Sequence, residues 1–154
     1  MKIALAGNPN SGKTTLFNLL CGTNQKIGNW PGVTVEKKTG LWRNTGIEVI
    51  DLPGIYSLSP YSADEEIARK ALFGEDLDLV INIVDATSLE RSLYLTTQLM
   101  ELDTPVIIVL NMSDNLTKKG LQVDGQRLEK MLGVSVFHDF GIKANWSPKI
   151  RRGC

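Results

Sequence analysis

The chain has no surplus of charge: 17 Lys and Arg stand against 17 Asp and Glu in 154 residues. A broad nucleic-acid or anionic-membrane footprint needs a basic excess, so neither partner is expected. Cysteine is scarce. Cys21 and Cys154 have no metal-like spacing, and Cys21 falls in an apolar helical pattern that favours a buried reduced thiol over a disulfide. The most apolar run, "LDLVINIVDA", is charged at both ends and well short of the roughly 20 residues of a membrane span. Met1 leads directly into "KIALAG", so no signal peptide is read. Internal repeats, low-complexity tracts and a composition break marking a second domain are lacking too. These absences leave one soluble, cytoplasmic-type domain with length enough for a sizeable core.

The elements that are present alternate. "KIALAG" is a short apolar run stopped by glycine, as a buried strand is. "GKTTLFNLLCG" places Leu16, Phe17, Leu19 and Leu20 at helical spacing with Gly22 as a stop. "EKKTGLWR" and "GIEVIDL" read as a hairpin turned through "NTG". "DLVINIVDA" and "TPVIIVLNMSD" have the continuous apolarity of strands covered on both faces. "SLERSLYLTTQLMEL", with Leu89, Leu93, Leu95, Leu99 and Leu102, reads as a helix, as does "DGQRLEKMLG", and "VSVF" as a last strand. Alternating strands and helices predict an α/β fold with a mostly parallel central sheet flanked by helices.

Between the first strand and helix lies "GNPNSGKT", which fits G-x-x-x-x-G-K-[ST] in its required context. Its glycines, Gly7 and Gly12, let the backbone turn tightly enough for N–H groups of Asn8, Pro9–Ser11 and beyond to face phosphates, wherever the residue is not proline. The helix that follows adds its positive end. Lys13 would reach the β- and γ-phosphates, and the Thr14 hydroxyl, next to Thr15, would ligate Mg²⁺.

At the C-terminal end of an apolar strand, "NMSD" (Asn111, Met112, Ser113, Asp114) resembles the N-K-x-D motif of GTPases. There the aspartate accepts from guanine N1–H and the 2-amino group; adenine lacks both donors. Met112 replaces the usual Lys. "DLPG" (Asp51, Leu52, Pro53, Gly54) resembles D-x-x-G, with Asp51 holding Mg²⁺ through water and the Gly54 N–H sensing the γ-phosphate. "GVTVE" (Gly32, Val33, Thr34, Val35, Glu36) offers Thr34 as the second Mg²⁺-ligating hydroxyl on the strength of its order in the chain. Each stretch alone could be a turn or strand; four in one order are a GTPase pattern.

"GNPNSGKTTLFN", "GNWPGVTVE", "IDLPGIYSLSPYS", "DLVINIVDATSLERSLYLTTQL" and "LNMSD" together resemble the N-terminal G domain of bacterial ferrous-iron transport protein B. The resemblance runs from Met1 to about Val136 and implies a Ras-like P-loop GTPase fold over 1–137. It also implies the cytoplasmic face of the bacterial inner membrane, with a helical GDP-favouring domain and a transmembrane region belonging to the parent chain. It makes Asn10 a K⁺ ligand beside the phosphates, joined by backbone carbonyls at Gly28 and Trp30. Asn10, Lys13, Thr34 and Gly54 form the implied catalytic set, with GTP, Mg²⁺ and K⁺ as ligands. Ile55 stands where Ras-type enzymes carry a water-orienting glutamine, so slow hydrolysis is expected. Asp64, Glu65 and Glu66 are explained more simply as an acidic helix start than as bases. Trp30, in a glycine-flanked loop, is expected to close over the nucleotide or meet a partner rather than serve as plain core. A regulator with negligible turnover, an ATPase and a ribosome- or tRNA-associated G protein are the rival readings.

The end of the chain departs from this pattern. The resemblance implies a fifth motif with "TSA" after "VSVF", and "HDFGIKANWSPKIRRGC" (138–154) does not contain it. Reading a DNA encoding of His138 to Ser147 one base later restores Met-Thr-Ser-Ala, which suggests a frame change near Phe137. Losing one base-directed hydrogen bond and its covering loop is expected to cost about 1–3 kcal/mol of nucleotide affinity. An uncovered sheet face would also favour self-association.

Overall fold

A computed structural model describes residues 1–138. The expected fifth motif and the tail, apart from His138, lie outside the described residues. Seven strands form one sheet in the order β2-β3-β4-β1-β5-β6-β7. They are β1 (Lys2–Gly7), β2 (Gln25–Asn29), β3 (Glu36–Leu41), β4 (Glu48–Asp51), β5 (Leu79–Asp85), β6 (Val106–Asn111) and β7 (Val136–His138). The pairs β1/β4, β1/β5, β5/β6 and β6/β7 run parallel; β2/β3 and β3/β4 are antiparallel. The helices are α1 (Lys13–Cys21), α2 (Ala63–Gly74), α3 (Leu89–Leu99), α4 (Ser113–Thr117) and α5 (Gly125–Leu132). The mostly parallel sheet with flanking helices is the expected Ras-like architecture.

Strand alternation explains the two layers. Ile3 and Leu5 of β1 join Leu16, Phe17 and Leu20 of α1 in one core cluster. Ala4 and Ala6, pointing the other way, join Ile67, Ala71 and Leu72 of α2 and Leu95 and Leu99 of α3. A third cluster packs Leu128 of α5 against Val84, Ile108 and Leu110. No helix among the described residues is long and apolar enough to cross a membrane.

Two local expectations are corrected. Leu19 is 54% exposed, whereas Cys21 is buried as expected, because the inward face of α1 follows the 16/17/20/21 spacing. Burial pushes the Cys21 thiol up to about 11, as suits a reduced and unreactive side chain. The second correction is β2, a strand where the sequence suggests only loop. Gln25–Asn29 has one apolar side chain, Ile27, and that is exposed; the segment is held by its ladder to β3 as a polar edge strand.

The β3–β4 hairpin turns where "NTG" predicts. Trp42 N–H donates to the Ile47 carbonyl at 2.8 Å, while Asn44 and Gly46 adopt φ of 60° and 70°. This turn directs β4 back along β1 and delivers Asp51 to the end of the sheet where β1 opens into the phosphate loop.

Candidate functional site

The site lies at the C-terminal ends of β1, β4 and β6, the usual position for a ligand in an open parallel sheet. A Cβ on Gly7 would meet the Ile83 carbonyl oxygen and Ser11 Oγ at 2.7 Å each, so only glycine allows this approach. Asn10 and Gly12 then adopt positive φ, 62° and 95°, which bends the loop over the start of α1. That helix has neither a capping side chain nor an acidic residue in its first turn. By contrast, α2 is capped by Ser62 and carries Asp64, Glu65 and Glu66, and α5 is capped by Asp124. The positive end of α1 is thus left for an external anion.

Inside the loop, Lys13 Nζ donates to Asp51 Oδ1 at 2.6 Å, with both side chains nine-tenths buried. The pair brings the expected phosphate-binding cation and the expected metal-holding carboxylate together. The segment after Asp51 continues alongside the loop: Leu52 N–H donates to the Leu5 carbonyl, and Ile55 N–H to the Gly7 carbonyl. A Cβ on Gly54 would lie 2.9 Å from Pro9 Cα and 3.1 Å from Pro9 N. Backbone cannot yield as a flexible side chain does. Gly54→Ala is therefore expected to lose about 1–3 kcal/mol of stability in a denaturant titration and to weaken the nucleotide response; a parent-like midpoint would contradict it.

The base motif is tied to the same loop. Asn111 Nδ2 donates to the Ser11 carbonyl at 2.8 Å. Met112 adopts φ of 62° and starts α4, which presents Asp114 exposed in its first turn. Asn8 Oδ1, Ser11 Oγ and Ser113 Oγ are buried without a hydrogen-bond partner around this junction. Asn8, Pro9, Asn10, Gly12, Lys13, Thr14, Thr15, Gly54, Asp64 and Met112 line a hollow of about 570 Å³. The residues fit a nucleotide and Mg²⁺: the uncapped start of α1 borders the hollow, and the Thr14 hydroxyl and Asp51 carboxylate are hard oxygen donors.

Other predicted residues stand apart from this hollow. Thr34 is exposed on the 31–35 loop, together with Gly32, whose φ is 74°, and Val33. Gly28 lies within the β2–β3 ladder opposite Lys37, and Glu36 begins β3, its carboxylate 3.1 Å from Lys38 Nζ. Trp30 corrects the expectation made for it. It is 7% exposed and belongs to the core cluster of α2, with Lys37 Nζ 4.4 Å from its ring centroid. Its loop is held by Trp30 N–H to the Val35 carbonyl and Val33 N–H to the Trp30 carbonyl. Ile55 is likewise core, 2% exposed in the same cluster.

Asp64 lines the hollow although the sequence explains it as a helix-start acid; neither Glu65 nor Glu66 does. Glu66 instead pairs with Lys70 at 2.6 Å. Sequence reasoning also passes over Ser92 and Thr96, which are buried beside the site on α3. Their only sequence signal is that two hydroxyls four residues apart interrupt a leucine stripe.

Comparison with known proteins agrees with this geometry. The family model described as Ferrous iron transport protein B matches residues 1–152. An Fe(2+) transporter FeoB of Legionella pneumophila is 53% identical over 138 residues, covering 86% of this chain and 18% of that protein. The Fe(2+) transporter FeoB of Salmonella typhimurium is 51% identical over 142 residues, with 88% and 18% covered. The chain thus spans 18% of the length of these relatives. A GDP-bound mutant of the S. thermophilus FeoB G-domain aligns with a TM-score of 0.91 and 50% identity over 99% of this chain and 60% of that one. The GMPPNP form of the T. maritima FeoB cytosolic domain gives 0.90 and 44%, over 99% and 63%. On these matches, and on the motifs gathered at one end of the sheet, the chain belongs to the ferrous iron transport protein B family as its N-terminal G domain.

Proposed function

We propose that this domain binds GTP and GDP with Mg²⁺ and hydrolyses GTP slowly, with stimulation by K⁺. In this reading it is the cytoplasmic switch of a bacterial inner-membrane Fe²⁺ transporter. The observation that carries it is the 2.8 Å bond from Asn111 to the Ser11 carbonyl, which links base selection to the phosphate loop. Related FeoB domains bound to GDP and GMPPNP support the choice of nucleotide.

In the mechanism, the N–H groups at the start of α1 and the Lys13 ammonium receive the phosphates. Mg²⁺, held by Thr14 and, through water, by Asp51, would neutralise phosphate charge; Thr34 would join once the 31–35 loop moves toward the hollow. Asn10 would hold K⁺, joined by the carbonyls of Gly28 and Trp30 once their segment moves toward the hollow, and the ion would supply positive charge beside the phosphates. Gly54 offers its N–H to the γ-phosphate. With Ile55 in the core, no side chain at that position orients water, so turnover depends on electrostatics. Loss of the γ-phosphate would release the segments 27–36 and 51–62 and pass the change to the helical and transmembrane parts of the parent.

Phosphate release in KCl is expected to exceed that in NaCl by about tenfold or more, equivalent to roughly 1.4 kcal/mol at the barrier. Asn10→Ala should abolish the difference. Equal rates in both salts would remove the K⁺ role. No measurable release in either would favour the second reading, a guanine-nucleotide-binding regulator, for which the buried Ile55 speaks.

A further inference from the structure

One face of α3 is polar where it meets the end of β1. Thr96, fully buried, donates from Oγ1 to Asn82 Oδ1 at 2.5 Å. Asn82, 1% exposed in the middle of β5, donates from Nδ2 to the Ala6 carbonyl at 3.3 Å. One turn earlier on α3, Ser92 Oγ accepts from Asn8 Nδ2 at 3.5 Å, the longest link in the chain. Ser92 and Asn8 are 3% and 4% exposed. Ala6 and Asn8 flank Gly7, so α3 grips the phosphate loop on both sides of its first glycine.

Core packing does not require these groups. Replacing a satisfied buried hydrogen-bonded set by apolar groups of the same shape is often neutral or stabilising. Hydrogen bonds do what apolar contact cannot, which is to fix one position among several that pack equally well. The same helix also holds the loop that follows Gly54. Gln98 Oε1 accepts from Leu58 N–H at 2.8 Å, and the Arg91 guanidinium lies 5.1 Å from the centroid of the Tyr56 ring. Thus α3 touches both the phosphate loop and the segment expected to respond to the γ-phosphate.

We propose that Ser92, Thr96 and Asn82 are positioning residues of the nucleotide site. Through Asn8 and Ala6 they hold the phosphate loop in its anion-receiving shape, and α3 links that loop to residues 55–62. None of the three lines the hollow, so they act through Asn8 and the β1 end rather than by contact. The inference rests on the nucleotide reading above.

The test is release of a fluorescent GDP analogue from the whole chain, followed by stopped flow beside thermal unfolding. Asn82→Leu with Thr96→Val removes the Thr96–Asn82 and Asn82–Ala6 bonds at nearly constant volume and leaves the Asn8–Ser92 bond in place. Its melting midpoint is expected to hold or rise while release speeds up roughly two- to thirty-fold, the span of coupling losses at such residues. Thr96→Ser keeps the hydroxyl and should release at the parent's rate. Ser92→Ala, a smaller change that covers the case of a double variant that does not fold, should also release faster than the parent. Parent-like release from Ser92→Ala or the double variant would overturn the proposal. So would acceleration in Thr96→Ser equal to that in the double variant. A parent chain that took up no GDP analogue would instead defeat the nucleotide reading, and this inference with it, before any variant was compared.

Discussion

Asp114→Asn is expected to move the domain's preference from guanine to xanthine nucleotides, with a large loss of affinity for GDP. In the proposed complex the carboxylate accepts from two donors on the guanine edge. Hydrogen bonds to a charged group are worth about 1.5–3 kcal/mol each, so losing both should weaken GDP roughly 10²- to 10⁴-fold. Asn presents a donor, which suits the 2-oxo group of xanthine and leaves the guanine amino group facing another N–H. The geometry suits such an exchange, because Asp114 is exposed in the first turn of α4 and is not itself part of the core. The bond from Asn111 to Ser11 should survive and keep the phosphate loop intact. Competition between GDP and XDP for the variant measures the shift. An unchanged preference would refute the placement of the base site and reopen the adenine reading.

Lys13→Met should cost more stability than a typical surface change and abolish tight nucleotide binding together. Its Nζ lies 2.6 Å from Asp51 Oδ1, and the two side chains are 9% and 6% exposed. Removing one member of a buried pair strands the other charge, at about 3–5 kcal/mol, or a fall of roughly 10 °C or more in the melting midpoint. A second change, Asp51→Asn, should restore most of the stability because the stranded charge is gone. It should not restore affinity, because the phosphates still lack their cation. If the single variant melted with the parent, the pair would not have the importance assigned to it. The pair also has a sense within the proposed function. A phosphate beside Lys13 would offer the ammonium a second anionic partner, so the cation need never be buried alone, and Asp51 would then be free to help hold Mg²⁺.

The parts of this site legible in sequence are short motifs whose residue types mark them without knowledge of their distant partners. Gly7, Gly12 and Gly54 permit backbone approaches closed to other residues, and Asn111 and Asp114 are placed by a strand end and one helical turn. The strands β1, β5 and β6 were legible because both faces are covered and the runs are continuously apolar. What escaped depends on partners distant in the chain. The polar strand β2 exists only through β3. Leu19 is left outside the core because of where α1 lies on the sheet, while Cys21 is buried as expected, with Gly40 pressed against its sulfur. Trp30 looked like a loop residue because its glycine-flanked context says nothing about α2, forty residues on. Ser92 and Thr96 gain meaning only once β5 places Asn82 between α3 and β1.

The burial of Trp30 has a consequence for time. The 31–35 loop is closed at its base by the β2–β3 ladder, and a loop that short explores its conformations in about 10–100 ns. An excursion that draws the indole out of its cluster re-exposes on the order of 150–250 Å² of surface, a penalty of about 4–6 kcal/mol. That slows the excursion by roughly three to four orders of magnitude. The loop's clock would then run in tens of microseconds to milliseconds, set by one aromatic plug and not by the length of the chain that carries it.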